Sequence, residues 1–472
     1  MIVIELTRAL ARSFRTVLRR SVLELEGRRT WPVVLCKAGD GGLTLQAVRL
    51  EAALRYHQPG QWPADVIAFP GDVLGEVEGR GDAVVTLENV GAGKGRARWD
   101  DGGLPRTLDF DATPPNEVAE LPAPPSQWTP LPAAFLHAFD EAARTAPKES
   151  ARYALSRVQL RGQRGEVVGT DGSQLLVQGG FPFPWAEDLL VVRVSAFGCR
   201  ELAEQDDVRI GRSRNHVAVG AGPWTLLLAL DSNGRFPDVQ AVLPRTPPNA
   251  SRLVFVEEDA AFLQSALPKL PGACDFNAPV TLDLDRPPAV RARAEGSDQV
   301  AEVPLGRCRV TGPRVRICTP RRLLHRMLTL GFREVVVASP DVPLVCRDPT
   351  RTYLWMPLDT KLAIAPGADV LHIGPGEPAA PRPSSRPPEK EILTMPPPPS
   401  NGHRPEDDRV RDPQVEKWDL EDVIAETEAL RGVLHDAGAR TMRLLAALKH
   451  QRRQSRAVKA AMQSLQQLRL GP

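Results

Sequence analysis

The chain has 472 residues, with 60 basic and 58 acidic side chains and a net charge of +2. Its composition, 42% hydrophobic and 25% charged, is ordinary for a soluble globular protein, and its length suits about three domains. No apolar run approaches the roughly 18 residues of a membrane span, so we expect no membrane partner, and the net charge alone gives no sign of nucleic acid.

The first 20 residues lack the basic start, long apolar core and small-residue cleavage site of a secretory signal, so we expect a cytoplasmic protein. The six cysteines are far apart and form no C-x-x-C pair. This spacing favours buried free thiols over disulfides or a metal site.

Residues 5–20 are predicted to form a first helix, which follows a short strand. Its apolar stripe consists of Leu6, Leu10, Phe14 and Val17. A second stripe consists of Arg8, Arg12, Arg15 and Arg19. The two stripes are offset by two residues, or about 200° around a helix, so the arginines face away from the core. Such a run is usually a solvated face, but four arginines without interleaved acids indicate a surface held against phosphates.

Residues 31–110 alternate short apolar runs with turns. This pattern predicts a series of strands at Val33–Cys36, Leu43–Val48, Ala53–Tyr56, Val66–Phe69, Val84–Leu87, Gly95–Trp99 and Thr107–Phe110. A short helix is predicted at Pro70–Val77. The glycine-rich run Gly91–Gly95 lacks the spacing of a phosphate-binding loop, so we interpret it as a hairpin turn. The proline-rich residues 113–130 are predicted to be a linker between domains.

The same order of helix, strands, helix and strands then recurs twice, in units of about 120 residues. Helices are predicted at Leu131–Thr145 and Ala196–Glu204 in the second unit, and at Glu257–Leu267 and Pro320–Leu330 in the third.

The second unit contains the most informative motifs. Residues 152–155 read RYAL, residues 170–175 read TDGSQL, and residues 234–238 read GRFPD, followed by Leu243-Pro244. The third unit ends in residues 353–358, YLWMPL. In this order and spacing, the motifs resemble the bacterial DNA sliding clamp, the beta subunit of DNA polymerase III.

The resemblance implies an α+β fold of three topologically similar clamp domains, with helices on one face of antiparallel sheets. We place these domains at residues 1–120, 126–247 and 250–360. A proline-rich linker at 366–413 and a helical coiled-coil tail at 414–470 would follow, which departs from the family, because its chains end soon after the Met-Pro-Met motif.

The resemblance also implies a ring of two chains joined head to tail, which slides on duplex DNA without reading its sequence. The basic residues that would face the DNA are Arg8, Arg12, Arg15, Arg19, Arg28, Lys148, Arg200, Lys269, Arg321, Arg322 and Arg326. A second site in the family is an apolar pocket that takes a Gln-Leu-x-Leu-Phe-type peptide from DNA polymerase, the clamp loader and other partners. By motif, the pocket maps to Leu155, Thr170, Gly172, Leu175, Pro244, Met356, Pro357 and Leu358. Ser173 and Gln174 replace the family's His-Arg pair, which predicts an altered polar rim.

The tail carries apolar residues at alternating three- and four-residue spacing between Leu420 and Leu465, which is typical of a coiled coil. Near its end, Gln467-Leu468-Arg469-Leu470 looks like a truncated pocket-binding peptide. Chance accounts readily for so short a match, although docking into the chain's own pocket is an alternative.

No metalloprotease, nucleophile-elbow or Walker motif occurs, and the carboxylate pairs Asp206-Asp207 and Asp283/Asp285 are interpreted as solvated surface. We therefore expect a non-catalytic subunit without cofactor or metal. The alternatives are a clamp-fold paralogue that acts as a scaffold through its tail, and, less favoured, an enzyme of unrecognised type.

Overall fold

A computed structural model describes residues 3–24, 30–91, 93–150, 154–245, 247–367 and 370–374. The chain divides into two compact units, Met1–Gly376 and Glu377–Pro472, and every described residue belongs to the first. The predicted coiled-coil tail and nearly all of the predicted linker lie outside the described residues. None of the helices within those ranges is both long and apolar enough to cross a membrane.

The first repeat begins with a strand that leads directly into the arginine-bearing helix. Its elements are β1 (Ile4–Thr7), α1 (Arg8–Leu18), β2 (Val33–Ala38), β3 (Leu43–Val48), β4 (Ala52–Gln58), β5 (Asp65–Pro70), α2 (Val73–Val77), β6 (Val84–Gly91), β7 (Lys94–Asp100) and β8 (Pro105–Asp111). The helix starts three residues later than predicted, because the Thr7 hydroxyl accepts a hydrogen bond from the Leu10 amide and caps it. Leu6 therefore belongs to β1, and the chain beyond α1 continues as one π-helical turn at Arg19–Leu23.

The second repeat follows the same order. Its elements are β9 (Thr129–Leu131), α3 (Ala134–Thr145), β10 (Arg157–Arg161), β11 (Glu166–Thr170), β12 (Gln174–Gly179), β13 (Asp188–Val192), α4 (Arg200–Ala203), β14 (Val208–Arg212), β15 (His216–Ala221), β16 (Trp224–Ala229) and a short α5 (Val239–Val242). The predicted linker at 113–130 contains a 3₁₀ turn at Pro115–Glu117, and β9 begins within it.

The third repeat adds two short strands to this order. Its elements are β17 (Ser251–Val254), α6 (Glu257–Ala266), β18 (Pro279–Asp283), β19 (Ala289–Arg293), β20 (Val300–Pro304), β21 (Arg309–Thr311), β22 (Arg316–Pro320), α7 (Arg321–Thr329), β23 (Glu334–Val337), β24 (Leu344–Arg347), β25 (Arg351–Trp355) and β26 (Val370–His372). The two additions are β21 and β26.

Each repeat contributes four strands to each of two sheets. The first set runs β5-β2-β3-β4, β13-β10-β11-β12 and β22-β18-β19-β20, and the second runs β1-β6-β7-β8, β9-β14-β15-β16 and β17-β23-β24-β25. This correspondence confirms three topologically similar units with mostly antiparallel sheets. The exact domain boundaries given above stay a prediction.

Successive repeats join edge to edge in one way. Strand β4, at the edge of the set β5-β2-β3-β4 in repeat 1, pairs antiparallel with β16, the last strand of repeat 2, over five residue pairs. In the same way β12 of repeat 2 pairs antiparallel with β25, the last strand of repeat 3, over five pairs. The two joints produce continuous sheets of eight and nine strands.

The cores follow the alternation of each strand. One large cluster of buried apolar side chains runs through repeats 1 and 2, and a second fills repeat 3. Asp283 lies within the sheet of repeat 3, at 3% exposure, and is held by Arg291 (Nη1–Oδ2 2.5 Å) and Arg316 (Nε–Oδ2 3.0 Å). The interpretation of this carboxylate as solvated surface is therefore wrong, because two cross-strand arginines replace its water.

Candidate functional site

The arginine stripe of the first helix separates into two pairs. Arg8 donates to the carbonyl oxygens of Val77 and Glu78 and pairs with Asp101 (Nη1–Oδ1 2.8 Å). Arg15 pairs with Glu78 (Nη1–Oε1 2.9 Å) and lies over the ring of Trp31. Both guanidinium groups therefore anchor α1 to the end of α2 rather than face solvent.

Arg12 and Arg19 are the exposed members of this stripe. They are seven residues apart, so they project from one side of α1 and the turn that follows it. Within the described part of the chain, neither side chain has a hydrogen-bond or ion-pair partner. Arg28 lies outside the described residues.

Three more of the predicted basic residues are exposed along the helical regions of repeats 2 and 3: Lys148, Arg200 and Lys269. Among the residues that the structure describes, Arg200 pairs only with its helical neighbour Glu204 (Nε–Oε1 2.7 Å), and its side chain stays 83% exposed. Such a surface pair is worth little, so Arg200 can turn to another anion at small cost.

The three arginines of helix α7 differ in their burial and in their contacts. Arg321 is buried at 4% exposure and donates to the carbonyl oxygens of Leu270 and Pro271. Burial lowers the pKa of its guanidinium, which has no ion-pair partner among the described residues. We therefore leave Arg321 out of the exposed basic surface, because its contacts hold α7 to the chain after α6.

Arg326 reaches from repeat 3 into repeat 2. It donates to the Glu141 carbonyl oxygen (2.8 Å), the Glu141 carboxylate (3.1 Å) and the Thr145 hydroxyl (2.7 Å) of α3. Arg322, by contrast, is 59% exposed and lies 3.9 Å from Asp171. Of the α7 arginines, Arg322 alone is presented to solvent.

A small apolar patch lies apart from the two large cores, at the joint between repeats 2 and 3. Its members are Val168, Leu175, Val177, Val239, Val345 and Leu354, with Phe236 and Leu243 packed against them. Leu175 and Leu354 are directly paired across the joint, whereas the next residues along, Leu176 and Tyr353, point into the core of repeat 3. Strand alternation thus places the patch on the sheet face opposite that core.

The Thr170–Gln174 corner is fixed by its own hydrogen bonds. The Asp171 carboxylate accepts from the amides of Ser173 and Gln174 at 2.8 and 2.9 Å, and the Thr170 hydroxyl donates to the Gln174 carbonyl oxygen. Gly172 turns the corner at φ +87°, where other residues are strained. A Cβ at Gly172 would lie 3.8 Å from the Leu155 side chain, so these two predicted pocket residues are neighbours.

Gln174 is buried at 4% exposure and links the corner to the joint. Its side-chain Nε2 donates to Asp171 Oδ2 (2.9 Å), and its side-chain Oε1 accepts from the Tyr353 hydroxyl (2.8 Å). Burial raises the pKa of Tyr353, so this hydroxyl stays a donor. Gln174 is thus a structural link beneath the surface and not part of a polar rim.

Of the remaining predicted pocket residues, Met356 and Pro244 are bonded to the corner and to β24, whereas Leu358 is bonded elsewhere. The Met356 amide donates to the Ser173 carbonyl oxygen at 2.8 Å, and Arg347 donates to the Pro244 carbonyl oxygen at 2.9 Å. The Leu358 amide bonds Cys318 of β22, so the chain turns away after Pro357. Met356 lies two residues beyond Leu354 of the patch and is 42% exposed, so its apolar side chain is open to solvent. The pocket prediction left out Val345 of β24, whose only signal was apolar alternation, and Leu354 of β25, although Leu354 lies inside the YLWMPL motif.

No family model and no curated protein matches the sequence. Among solved structures, a DnaN sliding clamp (DNA polymerase III subunit beta) from Pseudomonas aeruginosa bound to griselimycin matches with a TM-score of 0.62 at 20% identity, over 76% of this chain and 99% of that one. Another structure of the P. aeruginosa beta subunit matches at TM-score 0.62 and 18% identity, over 76% and 100%. A putative DNA polymerase III beta subunit from Eubacterium rectale matches at 0.62 and 14%, with the same coverage. The predicted fold is confirmed: this chain has the fold of bacterial DNA sliding clamps, spans their full length and extends beyond it.

Proposed function

We propose that the chain is a divergent sliding clamp, in which two copies join head to tail around duplex DNA and tether polymerase and other partners. The observation that carries the proposal is the repeated joint. The edge strand of the first set in one repeat pairs with the last strand of the next repeat, at both β4–β16 and β12–β25. Within the described residues, β8, the last strand of repeat 1, pairs only with β7. The same kind of joint can therefore form between β8 of one copy and β20 of another.

The DNA would lie against the face of the ring that the helices of the repeats form, and its base sequence would not be read. Arg12, Arg19, Lys148, Arg200, Lys269 and Arg322 are exposed, and on that face they would neutralise phosphates, which gives affinity without sequence preference. Arg8, Arg15 and Arg326 position the helices that carry these side chains. Arg28 remains a candidate from the sequence.

The partner site would be the apolar patch around Leu175 together with Met356 and the Gly172 corner. The leucine and aromatic side chains of a Gln-Leu-x-Leu-Phe peptide would cover the exposed Met356 and the half-buried Phe236 and Leu243 above the buried patch, and burial of such anchors supplies most of the affinity at small interfaces. The contacts of Gln174 and Arg347 hold the floor of this site in place before the peptide arrives.

A second candidate is a clamp-fold scaffold that no longer encircles DNA. It is favoured by the internal engagement of Arg8, Arg15, Arg321 and Arg326, which leaves the helical face with fewer free cations than the sequence suggested.

The two candidates differ in their retention on circular DNA. A clamp loaded on a nicked plasmid by a bacterial clamp loader stays bound in high salt, whereas a scaffold dissociates from circular and linear DNA alike. The matched control is Thr107→Pro, which places a proline on the open edge of β8. Equal retention on circular and linear DNA would reject the clamp.

A further inference from the structure

The strand β26 occupies the edge that the repeated joint leaves for a second copy. It pairs in parallel with β20, with Val370, Leu371 and His372 opposite Val300, Ala301 and Glu302, and the Ile373 amide donates to the Glu302 carbonyl oxygen at 2.7 Å. We call residues 370–373 the edge strap. They follow the last residues of the clamp-like repeat, where the chain continues beyond the length of its structural neighbours.

The position of β20 in repeat 3 is that of β4 in repeat 1 and β12 in repeat 2. Those two strands receive the last strand of the following repeat in antiparallel orientation. The edge strap runs parallel, so it does not copy the direction of an incoming strand. It nevertheless uses the same side of the sheet.

The backbone groups that the strap covers can be identified from the alternation of β20. The Leu305 amide bonds the Pro288 carbonyl oxygen, so every second residue from Leu305 backwards faces β19. Val300 and Glu302 therefore direct their amide and carbonyl groups to the outer edge, where Ile373 is bonded. An incoming strand needs these same groups, so strap and strand exclude each other.

Side chains reinforce the strap. Glu302 accepts from Arg291 (Nε–Oε2 2.5 Å) through one oxygen and lies 3.3 Å from His372 Nδ1 through the other. Arg291 in turn pairs with the buried Asp283. The strap is thereby tied to the charge network inside the sheet of repeat 3, although His372 itself remains 59% exposed.

We propose that the edge strap is an autoinhibitory contact, which covers the β20 edge in the single chain and must leave before β8 of a second copy can pair there. The inference rests on the proposed ring. Exposed strand edges invite pairing with other chains, and a covered edge blocks it. A closed ring of two contains two such joints, so two straps are released for each ring, and the cost of strap release enters the dimer dissociation constant twice.

The open edge of β8 provides the matching probe. The Ala112 amide bonds the Gly93 carbonyl oxygen, so by alternation Leu108 and Phe110 face β7, while Thr107 and Asp109 direct their amides outward. Thr107→Pro removes one outward donor without breaking the β7–β8 ladder, as proline is tolerated at an outer edge.

The test measures self-association of the full chain by sedimentation over a range of concentrations. Ile373→Pro removes the strap's bond to Glu302, and Gly374→Pro, one residue later, is the matched control, since a side chain at Gly374 meets open space. One net hydrogen bond is worth about a fivefold change per joint, so the dimer dissociation constant of Ile373→Pro is expected to fall about 25-fold. Gly374→Pro should match the wild type, and Ile373→Pro combined with Thr107→Pro should lose the gain.

The outcomes separate the two proposals. If Ile373→Pro associates no more tightly than Gly374→Pro while Thr107→Pro still weakens association, the ring stands and the strap is overturned. If Thr107→Pro changes nothing in either background, the β8–β20 joint itself fails, and any gain from Ile373→Pro has another origin, which also overturns the strap.

Discussion

Arg326 and Arg322 lie on the same helix, and the structure predicts opposite consequences when each is replaced by alanine. The side chain of Arg326 is 19% exposed and makes three hydrogen bonds to Glu141 and Thr145 across the joint between repeats 2 and 3. Arg322 is 59% exposed, and its nearest acid is 3.9 Å away.

The expected cost of Arg326→Ala follows from these contacts. All three acceptors are contacted by one nitrogen, Nη2, whose two hydrogens make about two full hydrogen bonds, each worth about 1 kcal/mol net and somewhat more where the acceptor is charged. Its loss also leaves the Glu141 carboxylate, 13% exposed, without its cation. Breaking a shielded pair from one side is more costly than the pair is worth, so we expect the free energy of unfolding to fall by about 2–4 kcal/mol. Arg322→Ala should stay within about 0.5 kcal/mol of the wild type.

The assay combines urea denaturation with DNA binding at several salt concentrations. Arg322→Ala should reduce the slope of log affinity against log salt by about one, as expected for one lost phosphate contact, and Arg326→Ala should leave the slope unchanged. The reasoning is refuted if Arg326→Ala unfolds like the wild type but lowers the salt slope, because Arg326 would then be a DNA contact rather than a joint between repeats.

Two further predictions concern the partner site and the helix beneath it. Met356→Ala should weaken the binding of a fluorescent Gln-Leu-x-Leu-Phe peptide by about 1–2 kcal/mol in an anisotropy titration. The control Leu362→Ala removes a similarly exposed apolar side chain and should leave the binding unchanged. Equal effects of the two substitutions would show that the peptide binds elsewhere. Gly169→Ala should lower the free energy of unfolding by about 1–3 kcal/mol in urea denaturation, because a Cβ at this position would overlap the Ala142 carbonyl oxygen of α3. The control Gly306→Ala places its Cβ in open space and should leave the free energy of unfolding unchanged. If Gly169→Ala also leaves it unchanged, α3 is free to shift.

Much of the fold was predictable because its strands alternate clearly and are bounded by turn residues. Leu43–Val48 was predicted with its exact bounds, and Val84–Leu87 was predicted four residues too short at its end. In repeat 3 the sequence predicts strands only at Val280–Leu284, Ala289–Ala294, Val335–Ala338 and Thr352–Met356, so β20 and β22 are among those missed. Charged residues interrupt their apolar pattern, and Glu302 and Arg316 are satisfied by partners on neighbouring strands that a single sequence does not reveal.

The candidate site was predictable in position but not in detail. The motifs brought Leu155, Gly172 and Leu175 to one corner, because local hydrogen bonds shape that turn. The arginine stripe, by contrast, looked uniform in sequence. Its division into anchored and exposed members depends on Glu78 and Asp101, more than sixty residues away, and spacing along a helix carries no information about such tertiary partners.

The closed ring is tested most directly by cutting the DNA after loading. Chains loaded by a bacterial clamp loader onto a nicked plasmid are washed at high salt, and the plasmid is then linearised while bound protein is followed by fluorescence. A ring has no direct hold on DNA at high salt, so the account predicts that the protein remains on the circle and slides off within minutes of cutting. Protein that stays bound to the linear DNA, or that never survives the wash on the circle, would contradict the account.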